Sequence, residues 1–210
     1  MFSAQNLWLF FVASILLNLT PGNDMIYVAS RSISQGSRAG IISACGIFIG
    51  CMMHTIAAIL GLSFIIAKSA FVFGIIKFLG AGYLIYLGTR ALLTRASINE
   101  EIENMPRVNR LKLLRQGIIT NVLNPKVAIF FLSFLPQFVD PSSPAFKLQL
   151  LVLGTWFDVQ GCLILVGVAW ILGKTTKFIK RNPTFWEVQQ KITGFVLVGL
   201  GIKIALTTNK

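Results

Sequence analysis

The chain has 210 residues, of which 55% are hydrophobic and 12% charged, with a net charge of +12 and a mean hydropathy of +0.75. Soluble domains hold about 45–50% apolar and about 25% charged residues, so this composition excludes a soluble globular domain and describes an integral membrane protein. The basic excess does not point to nucleic acid, because the lysines and arginines sit in short loops beside apolar spans, as they do in cytoplasmic loops of membrane proteins.

The first apolar stretch covers residues 6–29. It reads as a membrane helix rather than a signal peptide. No basic residue precedes Arg31, and no small-residue cleavage site lies at the expected place. Further spans are expected over residues 40–66, 70–93, 117–138, 147–172 and 189–207, each long enough to cross about 30 Å of hydrocarbon at about 1.5 Å per residue. Gly46 and Gly50 form a small-xxx-small packing face in the second span. Pro141, Ser142, Ser143 and Pro144 mark the turn between the fourth and fifth.

Thirteen basic residues fall in the odd loops: Arg31 and Arg38 in the first, six between Arg90 and Arg115 in the third, and five between Lys174 and Lys191 in the fifth. The opposite side has Lys68, Lys147 and Lys210. The odd loops are therefore expected in the cytoplasm and both termini outside. The expected fold is an all-α polytopic membrane protein. Its six transmembrane helices form two inverted three-helix repeats, with helices one and four broken at proline. Residues 1–210 make one transporter domain: repeat one over about 1–95, a cytoplasmic loop over about 90–116, and repeat two over about 117–210.

The breaks are the most informative feature. One reads Asn18-Leu19-Thr20-Pro21-Gly22-Asn23-Asp24 and the other Asn121-Val122-Leu123-Asn124-Pro125-Lys126. Proline removes a backbone donor and frees a carbonyl one turn earlier. In hydrocarbon the freed group needs protein, water or a ligand. Paired breaks at corresponding places in two halves point to a transporter binding site.

Polar residues within the spans are the candidate chemistry. Asp24 is a candidate contact for a substrate ammonium or a proton carrier; the alternatives are a structural salt bridge or a helix cap. Lys126 either holds a substrate carboxylate or snorkels to an interface. Asn18, Thr20, Gly22, Asn23, Asn121 and Asn124 complete the candidate substrate site, with Pro21 and Pro125 as the helix breaks. Each alone suits local satisfaction of broken backbone, but together they suit one polar cavity. Asp158, midway in the fifth span, and His54, the sole histidine, are the candidate ion-coupling residues, with ion pairing and packing as the respective alternatives. Cys45, Cys51 and Cys162 all lie in apolar segments and read as buried packing residues, not a disulfide framework. No Walker sequence, HExxH, GxSxG or Cys/His cluster occurs, so neither an enzyme nor a cofactor or metal site is expected.

The Thr20-to-Asp24 break, the loop from Arg31 to Gly40, Asn124-Pro125-Lys126 and Leu135-Pro136-Gln137-Phe138 resemble the LysE/RhtB family of bacterial amino-acid exporters. The resemblance covers nearly the whole chain. His54 ahead of Gly61-Leu62, and Asp158, are similar to the homoserine/threonine-exporter branch. One departure is Asn23, which stands where the family often has a second proline. The resemblance implies secondary export of amino acids or their derivatives across the bacterial cytoplasmic membrane, driven by an ion gradient with H+ as the expected coupling ion. The expected partners are a small-molecule substrate and the lipid bilayer, and a homodimer is compatible with this reading. Alternatives are an exporter of cations or other small solutes with a similar fold and, less favoured, a membrane-embedded enzyme, for which no nucleophile–base pair is evident.

Overall fold

The computed structural model describes residues 4–68, 70–93, 106–140, 143–174 and 183–206. The described residues form helices and no strand, as chain buried in lipid requires, because each backbone donor must find its acceptor within the segment. In chain order they are α1 (Ala4–Leu19), α2 (Asn23–Gln35), α3 (Ser37–Lys68), α4 (Ala70–Leu93), α5 (Arg110–Val122), α6 (Pro125–Ile129), α7 (Phe146–Lys174) and α8 (Pro183–Leu206). After α6 the helix widens into a π turn at Phe130–Phe134 and then tightens into a 3-10 turn at Leu135–Phe138.

Two of these helices are long and apolar enough to cross a membrane: α3 over Ser37–Gly61 and α7 over Phe146–Lys174. The bent pairs α1–α2 and α5 to Phe138 qualify as broken spans, with bends of 48° and 47°. Both bends fall at the expected prolines. The broken spans run further than expected at their basic ends, to Gln35 and from Arg110. In the first extension Ser30, Ser32 and Ser34 each donate to the carbonyl four residues earlier, at 2.6–2.8 Å, so their hydroxyls are satisfied within the helix. Gly36 then ends α2 with φ 88°, a left-handed conformation that favours glycine, and α3 starts at once. α4 and α8 occupy the places expected of spans three and six as helices of 24 residues each. The basic residues Arg95, Lys177, Lys180, Arg181 and Lys210, and the turn residues Pro141 and Ser142, lie outside the described residues.

Glycines set the closest helix approaches. A Cβ on Gly46 would lie 3.0 Å from the Gly117 Cα, and one on Gly50 would lie 2.9 Å from the Asn121 Cβ, so α3 meets α5 along the expected small-residue face. A Cβ on Gly88 would reach the Gly194 carbonyl at 2.7 Å, which brings α4 against α8. Two apolar clusters fill the interior. One gathers Phe10, Phe130, Phe131, Phe134, Phe138 and Phe157 where α1, the π turn and α7 meet. The other gathers Met25, Val28, Ala44, Ile47, Leu165 and Ala169 where α2, α3 and α7 meet. Large apolar side chains such as Trp8, Leu60 and Leu163 point outward, as a lipid-facing surface requires.

Candidate functional site

The two proline breaks lie beside each other at the centre of the protein. At the first, Pro21 has no N–H to give the Leu17 carbonyl four residues earlier. The Lys126 ammonium fills that place, with Nζ donating to Leu17 O at 3.3 Å and to Thr20 O at 3.1 Å. At the second, Pro125 leaves the Asn121 carbonyl without its helical donor. His54 Nε2 lies 3.1 Å from that oxygen. A carbonyl only accepts, so Nε2 carries the hydrogen. The Asn124 N–H also donates to Asn121 O at 2.8 Å. The Asn124 side chain caps α6 by accepting from Lys126 N at 3.0 Å.

Side-chain bonds tie the broken spans to each other and to α3 and α7. Asn121 Nδ2 donates to Asp24 Oδ2 at 2.8 Å. Thr55 Oγ1 donates to Asp158 Oδ2 at 2.8 Å, and the Cys51 thiol neighbours the same carboxyl group. Asn18 Nδ2 donates to the Phe157 carbonyl at 3.2 Å, in space left by Gly161. Asp24, Asn121 and Asp158 are buried, yet Asp24 Oδ1, Asn121 Oδ1 and Asp158 Oδ1 accept no hydrogen bond. An unmet buried acceptor costs about 1–3 kcal/mol, so these oxygens are a standing preference for a donor.

They border one cavity between the two apolar clusters. Its polar wall is Asn18, Thr20, Asp24, Asn121, Lys126 and Asp158; its apolar wall includes Met25, Ile47, Phe48, Val127, Phe157 and Leu165. The cavity volume is about 30 Å³, enough to admit water. Lys126 lies close enough to Asp24 to interact with its charge, though the ammonium bonds to backbone carbonyls.

Six sequence-predicted site residues thus meet at the cavity. Gly22 sits beside the wall, where a Cβ would come within 3.2 Å of Lys126 Nζ. Asn124 is buried as a helix cap and His54 stands behind Asn121, neither of them on the wall. Asn23 is exposed and also off the wall. Thr55 and Cys51 were missed by reasoning from sequence; they are four residues apart, on the α3 face that meets Asp158. Among the described residues no group of His, Cys, Asp or Glu converges as a metal centre.

Contacts between elements flank the cavity toward both ends. Toward the basic end, Tyr27 OH donates to Leu113 O at 2.7 Å, Arg31 Nη2 to Gln116 Oε1 at 3.1 Å, and Val108 N to Gln35 Oε1 at 3.1 Å. Toward the other end, Phe130 stacks on Phe157 at 4.0 Å, and Phe138 packs on Phe134 and Phe10 at 4.8 and 5.2 Å.

Comparison with known proteins places this architecture. An uncharacterized membrane protein of Bacillus subtilis (strain 168), YrhP, is 34% identical over 91% of this chain and 94% of its own length. The leucine efflux protein of Salmonella typhimurium (strain LT2) is 26% identical over 97% of this chain and 96% of its own length. An uncharacterized membrane protein of Vibrio cholerae is 28% identical over 95% of this chain and 97% of its own length. No solved structure matches the chain significantly. The model of the LysE type translocator family matches residues 15–208, nearly the full length, and the chain therefore belongs to the LysE type translocators: it is a membrane transporter, not an enzyme.

Proposed function

We propose that the protein exports amino acids or their derivatives, with leucine-like side chains preferred, across the bacterial cytoplasmic membrane by proton antiport. The observation that carries this reading is the cavity, whose wall brings the Asp24 carboxyl group and the Lys126 ammonium together with apolar side chains. An amino-acid zwitterion has the complementary charges: its ammonium matches the unmet oxygen of Asp24 and its carboxylate matches Lys126. Asn18, Thr20 and Asn121 would orient it, with Gly22 and Asn124 holding the backbone around it. The apolar wall suits an aliphatic side chain, and relatives named leucine efflux protein support leucine as the first probe. Asp158 is the proposed proton carrier, with His54 as the second titratable group, next in sequence to its partner Thr55.

Six spans in two inverted repeats fit the matched bends and the pairing of α4 with α8. Both termini then lie outside the cell. With a volume of about 30 Å³ the cavity must widen to admit an amino acid. A second reading is export of a small cation, favoured by the three unmet oxygens of Asp24, Asn121 and Asp158.

The test is flux from proteoliposomes loaded with a panel of labelled amino acids, with and without a pH gradient. Leucine is expected to leave faster than from protein-free vesicles, and faster still with the gradient. Asp158→Asn is expected to keep counterflow and lose the response to the gradient. If Asp158→Asn still drives uphill export like the parent, the carboxyl group is not the proton carrier. Labelled cation flux without amino-acid flux would overturn the main reading in favour of the second.

A further inference from the structure

We infer that the two broken spans are cross-latched, Lys126 of the second closing the break in the first and His54 of α3 closing the break in the second, and that a substrate carboxylate releases the first latch. Each proline deletes one helical hydrogen bond; the carbonyl it leaves keeps a shorter-range backbone donor, Thr20 N–H for Leu17 O at 3.2 Å and Asn124 N–H for Asn121 O at 2.8 Å, and gains a side-chain nitrogen from a distant part of the chain. The side-chain donor lies 109 residues away for Leu17 O and 67 for Asn121 O. In a membrane protein's core a carbonyl freed by proline is met by protein groups or ordered water, and here each side-chain nitrogen adds a second donor to the broken backbone.

Lys126 is the more consequential latch. Its ammonium bridges Leu17 O, before Pro21, and Thr20 O, so two of its three N–H groups hold the first break. Gly22 leaves room for that approach. A carboxylate is a stronger acceptor for an ammonium than neutral carbonyls are. When one enters the cavity, Nζ turns to it and both bonds to the carbonyls at the end of α1 are lost. The 48° bend between α1 and α2 then loses its lysine contact, and the angle between the halves of the span is held by fewer bonds. This release step rests on the amino-acid reading above; the latch itself does not.

The test is hydrogen–deuterium exchange of the full chain in lipid nanodiscs, read by peptide. In Lys126→Met the segment 17–26 is expected to exchange about tenfold faster or more, while 120–128, which contains the substituted residue, stays near the parent rate. In His54→Leu the segment 120–128 speeds up by a similar factor and 17–26 does not. His54→Gln, whose amide still donates, is expected to stay within about twofold of the parent. A Lys126→Met effect confined to 120–128, spread evenly over all helices, or absent overturns the latch. Leucine binding and exchange are then measured together on the parent. Leucine that binds is expected to speed 17–26, and leucine that binds without doing so overturns the release step. Leucine that does not bind, with both variants behaving as expected, leaves the latch standing and counts against leucine as the substrate.

Discussion

Asp24 is buried in the first turn of α2, where the helix dipole favours a carboxylate. One of its oxygens is held by Asn121 and the other is unmet. Asp24→Asn keeps the shape and an acceptor for Asn121 but removes the charge. A hydrogen bond to a charged group contributes about 1.5–3 kcal/mol, so export is expected to fall about 10- to 100-fold with the amount of inserted protein unchanged on quantitative immunoblots. Parental export from a well-inserted variant would show that the charge is not needed; parallel loss of protein and export would mark Asp24 as structural. Sequence alone singles out Asp24, Lys126 and Asp158, because charge at membrane depth is costly wherever it occurs. Their partners were not legible. That Lys126 reaches back to Leu17 and Thr20, or that Thr55 meets Asp158, depends on how the helices are rotated about their axes. Rotation follows from packing across the whole bundle, which one helix's periodicity does not report.

At the scale of elements, the breaks were readable to the residue. Proline's missing donor acts locally, and both bends occur where it predicts. Helix ends were less readable, since the polar tail of α2 stays helical, with serines that bond to their own backbone. The α3–α5 seam was legible from Gly46 and Gly50, because only small residues allow such an approach. Gly46→Val is expected to force the seam apart, at about 1–3 kcal/mol, and to lower the unfolding midpoint in detergent. Gly167→Ala is the control, because a Cβ there meets nothing within 4 Å. Its midpoint should stay level or rise slightly. Equal behaviour of the two variants would mean that the seam is not tightly packed.

For the whole molecule, the helical fold and its membrane setting follow from composition and span length. The pairing of α4 with α8 had no sequence signal beyond glycines at plausible spacing. Orientation rests on the thirteen basic residues of the odd loops. Reporter fusions after Ser97 and after Lys177 are expected to report cytoplasm, and fusions after Ser143 and at Lys210 the outside. A cytoplasmic C-terminus would sink both the topology and the three-plus-three inversion.

The contacts that flank the cavity at its two ends are made of different materials, and that gives them different thermodynamics. Phe10, Phe130, Phe134 and Phe138 flank one end by burying apolar rings, and opening them to water carries a positive heat-capacity change. Tyr27, Arg31, Gln35 and Gln116 flank the other with hydrogen bonds, some at the exposed rim, where mobile ions weaken the attraction of a guanidinium for its partners. Temperature and ionic strength are therefore separate handles on the two sides. Warming shifts the work of opening at the aromatic end, while salt on the basic side eases that end alone. A transporter built this way responds to salt on its basic side through one end and to temperature mainly through the other.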